Sequence, residues 1–225
     1  EDQTLCNGEA ITAITFTTEN TSGTTTYSWE NDTPSIGLAS AGSGDIASFN
    51  AVNSGTSPVT ATIVVTPSFE GCDGPTETFT ITVNPTAQVN DPVDQIICNT
   101  DSTSVTFTTE NTGGTTTYAW TNDTTSIGLG ASGDQDSISF NAVNTGTSPV
   151  TANLTVTPTF TANGVSCTGL PKEFTIKVNP TAQVDEIQDQ ILCNADATTA
   201  ITFTTDNIGG TTTYSWTNDT PSIGL

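Results

Sequence analysis

The chain contains no histidine, no arginine and no methionine, and its cations are Lys172 and Lys177 alone. The absence of histidine removes imidazole general bases, His-assisted serine or cysteine nucleophiles and histidine metal ligands. Against two lysines stand 24 acidic residues, for a formal charge of −22. A surface this negative repels phosphate, which argues against nucleic acid and anionic lipid as partners. No run of about 20 apolar residues is present, so no direct membrane insertion is expected in this segment, and no signal-peptide pattern begins at Glu1. The carboxylates are scattered through turns and repeat ends rather than gathered in pairs, so a glycosidase-type site is not indicated. The chain does not read as an enzyme.

What is present is repetition. Gly-Thr-Thr-Thr-Tyr-Xaa-Trp occurs three times, ending at Trp29, Trp120 and Trp216. Asn-Asp-Thr-Pro-Ser-Ile-Gly-Leu at 31–38 returns with one change at 122–129 and unchanged at 218–225. The aligned cysteines Cys6, Cys98 and Cys193 give steps of 92 and 95 residues. That period is too long for a solenoid unit and matches a whole small domain. The expected division is a first repeat at 1–86, a second at 87–181 and the N-terminal part of a third at 182–225. The third copy stops after its Trp segment, and the chain is expected to be a window on a longer array.

Within a repeat the apolar residues alternate. Ile14 and Phe16, Tyr27 and Trp29, and Phe79, Ile81 and Val83 alternate with Thr or Ser, and the run Val59, Ala61, Ile63 and Val65 alternates with Thr60 and Thr62. Period-two patterning rich in Thr, Val, Ile and aromatics signals strands with one buried face. Clusters of Gly, Asn, Ser and Pro supply the turns. About seven short strands per repeat predicts an all-β chain of tandem immunoglobulin-like antiparallel sandwiches in an extended array. Phe16, Phe107 and Phe203 each precede the repeat's Trp by 13 residues. The Trp is expected in the core beneath that Phe, which takes the place of the inter-sheet half-cystine of antibody domains.

Five cysteines in such a chain suggest a disulfide framework. In an immunoglobulin-like sandwich the first strand starts at the pole that carries the turn before the last strand. On that basis Cys6–Cys72 and Cys98–Cys167 are expected within repeats, with the partner of Cys193 beyond Leu225. Buried free thiols are the alternative. The cysteine spacing is not that of a zinc site, and persistent disulfides imply an oxidising, extracytoplasmic location.

The acids at the repeat junctions are the remaining candidates for a cofactor, which would be calcium. They are Asp91 and Asp94 at one junction and Asp185, Glu186 and Asp189 at the next, with Asp2 near the first strand. The loop carrying Asp134 and Asp136 is a second place for such ligands, and its counterpart retains Asp45. No complete calcium loop exists, and the competing reading is solvated charge that keeps an array soluble and extended. Asn20, Asn31, Asn122, Asn153 and Asn218 sit in Asn-Xaa-Ser/Thr, the N-glycosylation pattern.

The recurring phrases Gly-Thr-Thr-Thr-Tyr-Ser-Trp at 210–216, Ser-Pro-Val-Thr-Ala-Thr-Ile at 57–63 and Thr-Phe-Thr-Ile-Thr-Val-Asn-Pro at 78–85 carry a resemblance. The chain resembles the PKD-like, immunoglobulin-like repeats of giant surface adhesins in Bacteroidota, including the SprB-like adhesins of gliding bacteria. The resemblance implies type IX secretion, a cell-surface location and a part in gliding motility. It also makes Ser102, Thr124 and Ser137, each following an Asp, look like the short O-glycosylation acceptors of that phylum. A copy without lysine disfavours the Lys–Asn isopeptide links of some pilins. The expected role is a stalk or filament segment in contact with neighbouring repeats. The alternative is a set of weak glycan- or polymer-binding modules acting by avidity on surface polysaccharide or other cells. Short Pro-containing linkers after Asn84 and Asn179 predict a semi-rigid rod, at about 35–45 Å per repeat.

Overall fold

A computed structural model describes residues 1–223; Gly224 and Leu225, the end of the third copy's phrase, lie outside the described residues. The chain is all-β, with two successive sandwiches of the same plan. In the first repeat β1 (Gln3–Cys6), β2 (Thr25–Asn31), β3 (Ala41–Ser43), β4 (Val59–Phe69), β5 (Cys72–Asp73) and β6 (Glu77–Asn84) make one six-stranded sheet. Its order is β1-β6-β4-β2-β3, with β5 hairpinned onto β4. All pairings are antiparallel except β1 with β6, which run parallel with Cys6 opposite Asn84.

The second repeat uses β7 (Gln95–Cys98), β8 (Ser102–Thr106), β9 (Thr115–Asn122), β10 (Ser132–Gly133), β11 (Ser137–Asn141), β12 (Val150–Ala162), β13 (Val165–Thr168) and β14 (Lys172–Asn179). Six of these repeat the first sheet, and β7 again lies parallel to β14, with Cys98 opposite Asn179. The remaining pair, β8 and β11, forms a ribbon that supplies the opposite layer. In the first repeat that layer is reduced to two bridges, Ala10–Asn50 and Ile14–Ile46. The alternation at Ile14 and Phe16 thus yields a bridge rather than a continuous strand.

Between the layers lies one core per repeat. Leu5, Ile11, Trp29, Ile46, Ile63, Ile81 and Val83 fill the first. Val105, Phe107, Tyr118, Trp120, Ile138, Val156 and Ile176 fill the second. The alternating Thr residues face outward because successive side chains of a strand point to opposite faces. Trp29 and Trp120 are buried as expected. The ring partner of the aligned Phe, however, is the Tyr two residues before the Trp. Phe16–Tyr27 centroids lie 5.3 Å apart and Phe107–Tyr118 centroids 5.6 Å apart. Each indole lies instead over a glycine of the neighbouring strand, Gly42 or Gly133, where no Cβ can be accommodated.

The second repeated phrase, Asn-Asp-Thr-Pro-Ser-Ile-Gly-Leu, folds into a plug. The buried Asn31 amide donates to the carbonyls of Leu38 (3.0 Å) and Ala39 (3.2 Å), and its oxygen accepts from Thr33 N–H (3.0 Å). Asp32 accepts from Thr62 N–H at 2.8 Å, pinning the loop to β4. Ile36 is fully buried, and Gly37 turns the chain with a φ of 97°, a left-handed value that glycine adopts without cost. Asn122, Asp123 and Ile127 repeat the arrangement.

The third copy behaves differently. Between residues 182 and 223 no strand forms, and Trp216 is 62 % exposed, against 8 % for Trp29. Its Tyr-Ser-Trp segment has no counterpart of β4 or β12 to pair with, so the alternation has nothing to be buried against.

Two outcomes follow from this packing. Gly133→Val should lower the stability of the second repeat by about 1–3 kcal/mol through overpacking against Trp120, measured by urea unfolding. Hydrogen bonds hold three carboxyls below their ordinary value: from Thr62 N–H to Asp32, from Asn153 to Asp123, and from Thr80 N–H to Asp2. A depressed folded-state pKa contributes stability that is complete above the unfolded value of about 4 and is lost as pH falls through the folded value. Unfolding midpoints should therefore drop below about pH 4, and the Asp32→Asn, Asp123→Asn double variant should show a shallower fall.

The joint between repeats as the candidate functional site

The chain leaves β6 at Asn84 and enters the second repeat through a linker that is itself buried. Val89 belongs to the second core, and Ala87 packs with Phe160 and Ala162 in a small cluster of its own at the joint. Asn90 N–H donates to Thr108 O at 2.8 Å, which ties the linker to the second repeat. The reach back toward the first repeat comes from the β12–β13 hairpin. Its tip, Asn163-Gly164, has φ values of 51° and 77°. Two left-handed residues in a two-residue loop make the turn that matches strand twist. The hairpin carbonyls of Ala162 and Val165 both accept from the amide of Asn84, at 2.8 and 3.3 Å, and Asn84 is fully buried.

Beside that amide the structure forms a disulfide, Cys6–Cys167, with Cα atoms 5.6 Å apart and a sequence separation of 161. This corrects the expected pairing: neither Cys6–Cys72 nor Cys98–Cys167 forms, and Cys72, Cys98 and Cys193 are free and exposed. The reason is where in the strand each cysteine falls. The first strand lies along the exit half of β6: it begins with Gln3 opposite Ile81, and Cys6, its last residue, stands opposite Asn84. Cys72 stands opposite Phe69 at the entry end. The length of β6 separates them, roughly 25 Å at the rise of a strand, and a disulfide needs Cα atoms within about 7 Å. The hairpin cysteine therefore meets the first strand of the preceding repeat and not that of its own.

Other contacts close the joint. Asn111 donates to Thr86 O (3.2 Å) and Thr56 O (3.4 Å), and its oxygen accepts from Gln88 N–H at 2.7 Å. Thr112 N–H donates to Thr56 O at 2.8 Å, and Gly113 lies against Pro58. The same set recurs where the third copy meets the second. Asn207 donates to Thr181 O and Thr147 O and accepts from Gln183 N–H, Ile208 N–H donates to Thr147 O, and Gly209 lies against Pro149. These joint asparagines were not singled out in sequence, although their recurrence in register was the signal that marks them.

The junction acids do other work. Asp91 pairs with Lys172 at 2.6 Å, a largely exposed bridge of small energetic weight. Asp94 accepts from Thr175 N–H at 2.6 Å, as Asp2 does from Thr80 N–H at 2.7 Å, each fixing the start of a first strand to the last. Asp185 accepts from the Thr204 hydroxyl at 2.6 Å. Glu186 and Asp189 are exposed. Among the described residues no three acidic or cysteine side chains gather as a metal would require.

Of the glycosylation candidates, Asn31 and Asn122 are buried with their amides engaged, which closes them to modification in the folded chain. Ser102 and Ser137 are exposed, and the hydroxyl of the half-buried Thr124 donates to Asp123 at 2.7 Å. Asn20 and Asn153 are exposed, with the Asn153 amide on Asp123. No helix among the described residues is long and apolar enough to cross a membrane.

No protein-family model matches the chain, and no curated protein matches it. Among solved structures it is similar to the chicken CNTN1 FN1-FN3 domains at 10% identity and a TM-score of 0.34, covering 79% of this chain and 63% of that one. It is also similar to Drosophila N-cadherin EC1-4 at 13% identity and a TM-score of 0.42, covering 80% of this chain and 47% of that one.

Mapping without reduction should recover a Cys6–Cys167 peptide, with Cys72, Cys98 and Cys193 alkylated. Asn84→Ala, which strands two hairpin carbonyls, should destabilise the joint by about 1–3 kcal/mol, read by urea unfolding.

Proposed function

We propose that this chain is a segment of an extracellular stalk, a row of sandwiches that extends an adhesive region away from a cell. The observation that supports it best is the covalent joint. Two repeats held by a short buried linker, an amide clamp and a disulfide resist bending, and a disulfide is stable where the surroundings are oxidising. On this reading the units are 1–86, 87–181 and 182–225, and the charge of −22 keeps neighbouring rods apart. The finer assignment is to an SprB-like surface adhesin of Bacteroidota, exported by type IX secretion and moved in gliding; it rests on the sequence resemblance. The alternative of a glycan binder finds little support in the two complete repeats, where Trp29 and Trp120 are buried and offer no stacking face.

Stretching between residues 1 and 225 tests the mechanical part. With the disulfide intact, tension passes from Cys6 to Cys167 and the residues between them cannot extend. Adding reductant should release about 550 Å of further contour length, at about 3.4 Å per residue over a separation of 161. Equal lengths with and without reductant would sink the covalent joint. Saturable binding of the two complete repeats on a glycan array would overturn the stalk in favour of a binder.

A further inference from the structure

We propose that Cys6–Cys167 is one rung of a repeating ladder, in which Cys98 receives the hairpin cysteine of a completed third repeat and Cys72 the first-strand cysteine of a repeat placed ahead of the first. The proposal rests on the geometry of the joint and not on the stalk reading, and each can fail without the other.

Cys98 occupies the station of Cys6. It ends β7 opposite Asn179 as Cys6 ends β1 opposite Asn84. The backbone N–H of Cys98 donates to Asp101 at 3.3 Å, as that of Cys6 does to Glu9 at 2.8 Å. The next residue, Asn99, donates to Asn179 O at 2.9 Å, as Asn7 does to Asn84 O at 2.9 Å. Cys193 begins a third instance, with its N–H on Asp196 at 3.0 Å. Cys72 occupies the station of Cys167. It stands opposite Phe69 as Cys167 stands opposite Phe160. Each hairpin turns through a left-handed pair, Glu70-Gly71 or Asn163-Gly164.

The surroundings of the free cysteines agree. The joint between the second and third copies already carries the asparagine clamp of the first joint, so a third repeat docks in the same pose. What the third copy lacks in this sequence is the hairpin that would bring its cysteine to Cys98. At the other end, the pole of the first repeat that carries Cys72 is open. A groove of about 520 Å³ lies there, bordered by Phe16, Tyr27, Phe69, Cys72 and Phe79. In the second repeat the matching Phe107 and Tyr118 share their core with the linker residue Val89, and the matching Phe160 is fully buried against Ala87. The groove is therefore shaped for the Ala-Gln-Val end of a preceding linker, with Cys72 beside it.

Each rung forms by thiol–disulfide exchange with a low-molecular-weight or protein disulfide. The thiolate of one cysteine attacks that disulfide, releasing one of its sulfurs as a thiol. The second cysteine then attacks the mixed disulfide, and the other sulfur leaves. Two thiols are oxidised, the reagent disulfide is reduced to two thiols, and two protons move to the leaving sulfurs. Rungs from Cys6 and Cys98 enclose overlapping loops, so no single repeat between them can be pulled out without breaking a sulfur–sulfur bond.

The test extends this chain after Leu225 with residues 130–181 of the second repeat, which complete the third. The protein is oxidised with oxidised glutathione, alkylated and mapped without reduction. The expected result is Cys98 joined to the appended hairpin cysteine and Cys6 to Cys167, with Cys72 and Cys193 alkylated. Cys98→Ser should remove the second rung alone, and Cys193→Ser should leave both. A bond between Cys193 and the appended cysteine, or an alkylated Cys98, would overturn the ladder. If the extended chain shows no cooperative melt, the same mapping is made on the array isolated unreduced from its source. Bonds between successive repeats would then uphold the ladder, and bonds within a repeat would end it.

Discussion

The parallel pairing of each repeat's first strand with its last determines where the joints form and what they are made of. Because β1 follows β6 in direction, the residue that ends β1 stands at the exit of the sandwich, beside the residue that ends β6. Cys6 and Asn84 are thus delivered together to the pole from which the chain departs. Had β1 run antiparallel, its last residue would have stood nearer the middle of β6, away from the pole where the chain departs.

The second element of the joint is the hairpin, whose tip carries the carbonyls that accept from Asn84. β12 spans 13 residues against 11 for β4, yet the residue facing the cysteine is the aligned phenylalanine in both. The extra length lies beyond that pair, toward the tip. Of the forces at the joint, the exposed Lys172–Asp91 bridge contributes at most about 1 kcal/mol. A buried amide–carbonyl bond contributes about as much. A disulfide closing a loop of some 160 residues is worth about 5 kcal/mol in the chain-entropy picture. The covalent bond therefore dominates, and the hydrogen bonds set the angle at which it can form.

Much of the fold was legible in sequence because alternation with period two has one physical reading, a strand with a wet face and a dry one. Val59 to Val65 and Phe79 to Val83 fall where their pattern puts them, and Trp29 and Trp120 are core. Less legible was the second layer, which is a ribbon in one repeat and two bridges in the other despite similar sequences. Backbone pairing there depends on how far the opposite sheet allows two loops to approach, and side-chain periodicity does not carry that distance. The cysteine pairing misled because a domain was treated as closed. Spacing within one repeat says nothing about which pole a strand's last residue reaches.

The sequence by itself determined that the chain is all-β, that it is modular with a period near 95 residues, and that its net charge is strongly negative. Those properties are local: they follow from side-chain alternation, recurrence and charge. Only the tertiary structure decided that Asn84 is a buried clamp, that Asn31 and Asn122 are internal plugs and not glycan acceptors, and that Cys6 reaches across to Cys167. Each of these depends on the direction of a strand pair and on contact between residues as many as 161 positions apart, which a linear pattern cannot specify.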